Sequence, residues 1–214
     1  MSLEIVLVIA FLVISLGIHE AAHGWVALQC GDTTARDLGR ITLNPIAHID
    51  PIMTVVLPLA LAMAGAPIFG GAKPVPVSYH RLRHPLRDMM FVALAGPGSN
   101  FLLAIVFIVA WKAAFTFGGY APHGQLMTDV LYTSAWVNVL LAVFNLVPIP
   151  PLDGSRVMAW LLPASMRPSY ISLERFGMLL VLGVVFLVPG FQKMLGEGME
   201  TMMKVIFTLT GGMW

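Results

Sequence analysis

Charge is scarce in this chain: only 11% of its 214 residues are Asp, Glu, Lys or Arg, and the formal net charge is +1. An average soluble domain carries about 25% charged residues, and a near-neutral chain offers no electrostatic reason to bind nucleic acid. Cysteine is nearly absent. The lone Cys30 excludes an internal disulfide and fits no thiolate metal cluster. Long polar stretches are missing too: the intervals at about 29 to 50, 67 to 88, 118 to 127 and 151 to 171 are far below the roughly 50 residues a separate domain needs. The N-terminus, "MSLEIVLVIAF", has no basic region before its apolar run, so a retained helix is expected rather than a cleaved leader.

What is abundant is apolar sequence, 58% of the chain. Runs long enough to cross a bilayer cover Leu3 to Leu28, Met89 to Phe117, Val130 to Val147 and roughly Phe176 to Phe191. A shorter one, Ile52 to Ala66, is interrupted by Pro58. The expected fold is an all-α polytopic membrane protein with about 4 to 6 transmembrane helices. Between helix 1 and the 89–117 helix we expect a re-entrant helix at 52–66 and a short β-hairpin or extended segment at 68–77, "IFGGAKPVPV". One membrane-embedded domain, 1–214, is expected, with a core at about 3–160 and C-terminal helices at about 172–212. The region after Phe191 is too polar to assign as spanning or interfacial.

Into the first apolar run the sequence places "SLGIHEAAHGW", residues 15–25. His19 and His23, four apart on a helix, share a face, with Cβ atoms about 6 Å apart. Their ring nitrogens can therefore meet one ion. Glu20 lies about 100° round the helix, able to reach water beside that ion without being a ligand. This is the HExxH arrangement, in which a metal acidifies water and a carboxylate takes the proton. An ionisable residue at the centre of a membrane helix costs about 3 kcal/mol and usually marks a functional path.

A catalytic zinc needs a third protein ligand. Gln29 occupies the position of a metzincin third histidine, and no Glu lies between Glu20 and Glu174. Asp32, Asp37, Asp88 and Asp129 sit in or beside polar sequence and read as solvated surface charge. Asp153 differs, because it ends "VLLAVFNLVPIPPLDGSR", where prolines 148, 150 and 151 break an apolar helix and Gly154 lets the backbone turn. Asp153 is the expected third ligand. His48 and Asp50 read as loop hydrogen-bonding groups, while His80, His84 and His123 read as solvated. Gly96, Pro97, Gly98 and Asn100 read either as a tightly packed helix opening or, for Asn100, as an active-site packing residue.

"HEAAH", "ALAGPGSNFLLA" at 93–104 and "NLVPIPPLDG" at 145–154 together resemble the three signatures of the site-2 protease family of intramembrane zinc metalloproteases. The resemblance covers about residues 15–160. "RITLNPIAHIDPI" and "GGAKPVPV" resemble its compact branch, which lacks a PDZ domain. It implies one Zn2+ bound by His19, His23 and Asp153, Glu20 as general base, and Asn145 holding the substrate or its oxyanion. It also implies cleavage of peptide bonds within or near transmembrane segments of substrate proteins in the lipid bilayer, as in regulated intramembrane proteolysis. A transporter or ion-binding protein using the same His/Glu/Asp cluster is the alternative. Lysine and arginine favour one side, with Arg36, Arg40, Lys73, Arg81, Arg83, Arg87, Arg156 and Arg167 against chiefly Lys112 and Lys193. The resemblance to the compact branch, which is bacterial and archaeal, implies a prokaryotic cell membrane, and by the positive-inside rule the active site is expected toward the cytoplasm. The oligomeric state is not readable.

Overall fold

The structure, a computed structural model, describes residues 3–56, 60, 63, 71–118 and 124–212. Where lipid supplies no hydrogen-bonding partner, the backbone must satisfy itself, and a helix does so within one segment. The apolar runs accordingly form helices. The first is α1 (Leu3–Gln29), followed by the single turn α2 (Thr34–Asp37). After the polar interval come α3 (Pro85–Gly118) and α4 (Gly124–Asn145). Short helices α5 (Gly154–Leu161) and α6 (Arg167–Ile171) lead to α7 (Gly177–Leu187) and α8 (Phe191–Leu209). Four stretches are long and apolar enough to cross a membrane: Leu3–Gln29, Pro85–Thr116, Gly124–Asn145 and Arg167–Leu187. The chain is a multi-pass membrane protein.

Between α1 and α3 the described residues include a 3-10 turn at Pro45–His48, a π-helical turn at Pro51–Val56 and a 3-10 turn at Tyr79–Arg81. Residues 71–78 have no regular structure, and the described residues contain no strand. Most of the expected re-entrant segment at 52–66, and residues 68–70 of the expected extended segment, lie outside the described residues.

Side-chain pairs fix the helix directions. Phe11 packs edge-on against Phe107 at 5.1 Å between ring centroids, and further along α1 His23 bonds Val92. Helices α1 and α3 are therefore antiparallel. Ser15 bonds Asn138 in α4, while His19 and His23 meet Asp153 beyond the end of α4, so α1 and α4 run in the same direction. Small residues on the buried face of α1 (Ser15, Gly17, Ala21, Gly24, Ala27) allow the close approach that membrane helices use for packing.

The core lies where α3, α4 and α8 meet. Ala104, Ile108, Ala135, Val139, Met203 and Ile206 are fully buried there. Gly198 of α8 lies against Val143, whereas Phe207 lies 6.0 Å from Trp111, and the Lys112 ammonium donates to the Thr210 carbonyl at 3.1 Å. Helix α8 thus runs antiparallel to α4, although it is not among the four stretches apolar enough to cross a membrane. Its charged residues Lys193, Glu197, Glu200 and Lys204 face outward.

Two acidic residues correct the sequence reading. Asp32 and Asp88 are buried, not solvated. Asp32 accepts from the Thr34 N–H at 3.0 Å, the Thr34 hydroxyl at 2.5 Å and the Ser78 N–H at 2.5 Å. Asp88 accepts from the His84 N–H at 2.8 Å and from Arg87. Both tie loops to helix ends. Asp37, Asp129, His80 and His84 are exposed as expected, and His123 lies outside the described residues. Asp50 accepts from the Ile52 N–H at 2.9 Å and His48 donates to the Thr42 carbonyl at 2.9 Å, so both serve loop hydrogen bonding.

Candidate metal centre

Three side chains from distant parts of the sequence converge at the interface of α1, α3 and the 146–153 loop. His19 Nε2 and His23 Nε2 are 3.0 Å apart, and Asp153 Oδ2 is 3.2 Å from the first and 3.4 Å from the second. Both histidines are buried, while Asp153 is partly exposed. Ligands held roughly 2.0 to 2.1 Å from a tetrahedral ion stand about 3.3 Å from one another. The observed triangle has that size.

The chemistry of the donors agrees. His19 Nδ1 lies 2.5 Å from Asn100 Oδ1 and His23 Nδ1 lies 2.7 Å from the Val92 carbonyl. Each oxygen accepts only, so each Nδ1 carries a proton, and in the neutral ring each Nε2 then presents its lone pair. Asp153 Oδ2 is buried without a hydrogen-bond partner. Two imidazole lone pairs and a carboxylate oxygen crowded within 3.4 Å repel one another unless positive charge, from a proton or a metal ion, lies among them. The residues fit a zinc ion, and histidine rings steadied through their other nitrogen are usual for metal ligands.

Local structure aims Asp153. The chain leaves α4 at Asn145, passes Pro148, Pro150 and Pro151, and turns into α5 with Asp153 at its N-cap. The carboxylate makes no capping hydrogen bond, which leaves it for the histidines. A side chain at 154 would collide with the Leu146 carbonyl and lie 2.6 Å from that of Val147, so the reversal requires glycine. The Tyr170 hydroxyl donates to the Pro148 carbonyl at 2.9 Å and pins the loop from α6.

Glu20 Oε2 accepts from the Val75 N–H at 2.7 Å, which brings the 71–78 segment against α1. Asn145, the last residue of α4, donates one amide hydrogen to the Leu141 carbonyl at 3.0 Å. Gly96 was readable only as a packing residue at a helix opening, yet it lies inside α3 and faces the two histidines. A Cβ there would be 2.5 Å from His19 Nε2 and in contact with His23 Nε2. Asn138 and Ser15, which sequence reasoning passed over, are buried behind His19 and are joined by a 3.0 Å hydrogen bond. The available signal was an amide inside the apolar run "SAWVNVLLA" and a serine four residues before His19.

Apolar helices that enclose two histidines and an aspartate at metal-ligand spacing define an integral membrane metalloprotein. Sequence comparison gives its family. The family described as Peptidase family M50 matches residues 112–190. The protein named "Putative zinc metalloprotease YwhC" from Bacillus subtilis (strain 168) is 35% identical over 202 residues, covering 91% of this chain and 88% of the relative. The similarly named Rip2 of Mycolicibacterium smegmatis is 29% identical over 189 residues, 88% of this chain and 69% of the relative. MJ0611 of Methanocaldococcus jannaschii is 38% identical over 69 residues, 32% of each chain. No solved structure matches. The chain belongs to peptidase family M50, the site-2 protease family, and is a membrane-embedded zinc metalloprotease.

Proposed function

We propose that this protease hydrolyses peptide bonds within or beside transmembrane segments of other membrane proteins, as in regulated intramembrane proteolysis. One zinc ion would be held by His19 Nε2, His23 Nε2 and Asp153 Oδ2. The observation that carries the proposal is the convergence of these three atoms among membrane helices. Zinc bound there supplies Lewis acidity, polarising a scissile carbonyl and acidifying water. Glu20 takes the proton: Val75 holds Oε2, and Oε1 accepts from water and returns the proton to the leaving nitrogen. Asn145 retains a second amide hydrogen, which donates to the developing oxyanion.

A substrate helix must unwind to present its carbonyl, and the 71–78 segment suits an unwound partner. Residues before proline are extended, so Lys73 and Val75, preceding Pro74 and Pro76, favour an extended run. The Lys73 N–H donates to the His48 carbonyl at 2.8 Å and the Val75 N–H to Glu20. Pro74 and Pro76 have carbonyls but no N–H. An incoming strand would donate its own N–H groups to them. The excess of arginine and lysine around 36–87 and at 156 and 167 supports a cytoplasmic opening of the site.

The test uses purified protein and a panel of single-pass helical substrates, with and without a zinc chelator. Cleavage should require zinc and should disappear in Glu20→Gln, which retains the metal. A zinc-loaded protein that cuts soluble unstructured peptides but no membrane helix would overturn the substrate assignment. Undiminished cleavage by Glu20→Gln would overturn the general base.

A further inference from the structure

Ser15, Asn100 and Asn138 have polar side chains that take no part in the chemistry above, and none is more than 1% exposed. A buried polar group that lacks a partner costs about 1 to 3 kcal/mol, so such groups come in satisfied networks. Here the network has a direction. The Ser134 backbone carbonyl can only accept, and Asn138 Nδ2 donates to it at 2.9 Å and to Ser15 Oγ at 3.0 Å. That turns Asn138 Oδ1 toward α3, where it accepts from Asn100 Nδ2 at 3.0 Å. Asn100 must then present Oδ1 to His19, and His19 must carry its proton on Nδ1. Each amide is locked by the one before it, and the sequence begins at a main-chain oxygen that cannot reverse.

We infer that Asn138 is a positioning residue for the metal centre. Through Asn100 it fixes the tautomer and ring orientation of His19, so that Nε2 is unprotonated before zinc arrives. The inference rests on the reading of His19 as a zinc ligand. Without Asn138, the Asn100 amide has no reason to prefer one orientation. In the flipped state its N–H groups face His19 Nδ1, which then accepts, moving the proton to Nε2 and blocking it as a ligand. Asn138 touches neither substrate nor metal and acts only by orienting Asn100.

The test is a double-mutant cycle on zinc affinity, measured in detergent with Zn2+ and a chromophoric chelator competing for it. Asn138→Leu, close in size, should weaken binding about 10-fold or more, the range for losing an outer partner of a metal ligand. Asn138→Asp, held as the carboxylic acid by burial, donates its O–H to the Ser134 carbonyl and keeps an acceptor toward Asn100, so it should stay within about threefold of the native affinity. In an Asn100→Asp background either carboxylate oxygen accepts from His19, so adding Asn138→Leu should change affinity by less than about threefold. Nitrogen-15 spectra of the zinc-free protein should show His19 as the Nδ1–H tautomer, and mixed tautomers in Asn138→Leu. Equal losses from Asn138→Leu in both backgrounds, or an unchanged tautomer, would overturn the inference and leave Asn138 as helix-packing glue. Should Asn138→Leu not fold, Asn138→Ser carries the same expectation, being too short to hold Ser134 and reach Asn100 together. His19→Ala is the separate control: zinc affinity unaffected by it would instead overturn the ligand reading.

Discussion

Gly96→Ala is the smallest change that should disable the metal centre. Its added methyl carbon would lie 2.5 Å from His19 Nε2 and 2.5 Å from His23 Cε1, against the 3.5 to 4.0 Å of ordinary carbon contact. Relief requires at least 1 Å of movement by two rings, each tethered through Nδ1 to α3. Ring movement breaks the donor triangle. If the rings stay, the methyl occupies the space into which both lone pairs point. Either way zinc and the methyl compete, and affinity should fall at least 10²-fold. Overpacking should add a fold penalty of about 1 to 3 kcal/mol, so zinc content and melting temperature are both measured. The control is Gly98→Ala, two residues further along α3, where a Cβ meets nothing within 4 Å. It should bind zinc normally. Native zinc affinity in Gly96→Ala would refute the placement of α3 against the histidines and the reasoning built on it.

Three further outcomes are expected. Asn145→Ala should keep its zinc and lose about 10²-fold in turnover, measured on a cleavable helix; a change confined to metal content would make it a support for the ligands. Asp32→Asn should lower stability by about 2 kcal/mol in a thermal melt, since the charged acceptor of three hydrogen bonds becomes neutral. Burial alone would raise the Asp32 pKa, but hydrogen bonds from Thr34 and Ser78 outweigh it and hold the value below the ordinary 3.8. The stability Asp32 contributes is therefore complete above that value and lost as pH falls through the lowered one, so Asp32→Asn should remove that part of the acid dependence. For orientation, single cysteines at Thr34, Ser78, Gly118 or Ser165 in a Cys30→Ala background should label from outside intact cells only at Gly118; labelling of Thr34 from outside would invert the proposed topology.

The parts of this molecule legible from sequence are those where polarity and apolar length conflict. His19, Glu20 and His23 stand out because lipid penalises them, and Asp153 because prolines end a helix beside it. Periodicity could not reveal Gly96, whose role is to be absent as a side chain and depends on where α3 crosses α1. Nor could it separate Asp32 and Asp88 from solvated charge, since their partners at Thr34, Ser78 and His84 become partners only after the loops fold back. The direction of α8 was hidden for a related reason: its charges obscure an apolar face carrying Met203, Ile206 and Phe207. Asn138 was visible as an oddity in α4, but only the ordered chain of acceptors and donors around it suggests a purpose.

The assembly of the donor triangle also has a consequence in time. His19 and Asp153 are separated by 134 positions in sequence, 153 less 19. At a synthesis rate of about 5 to 20 residues per second, roughly 7 to 27 seconds pass between the making of one and the other. During that interval α1 and α3 can insert and pack while the histidine pair still lacks its carboxylate. The donor set that fits a metal is therefore incomplete until the segment after α4 emerges and folds back.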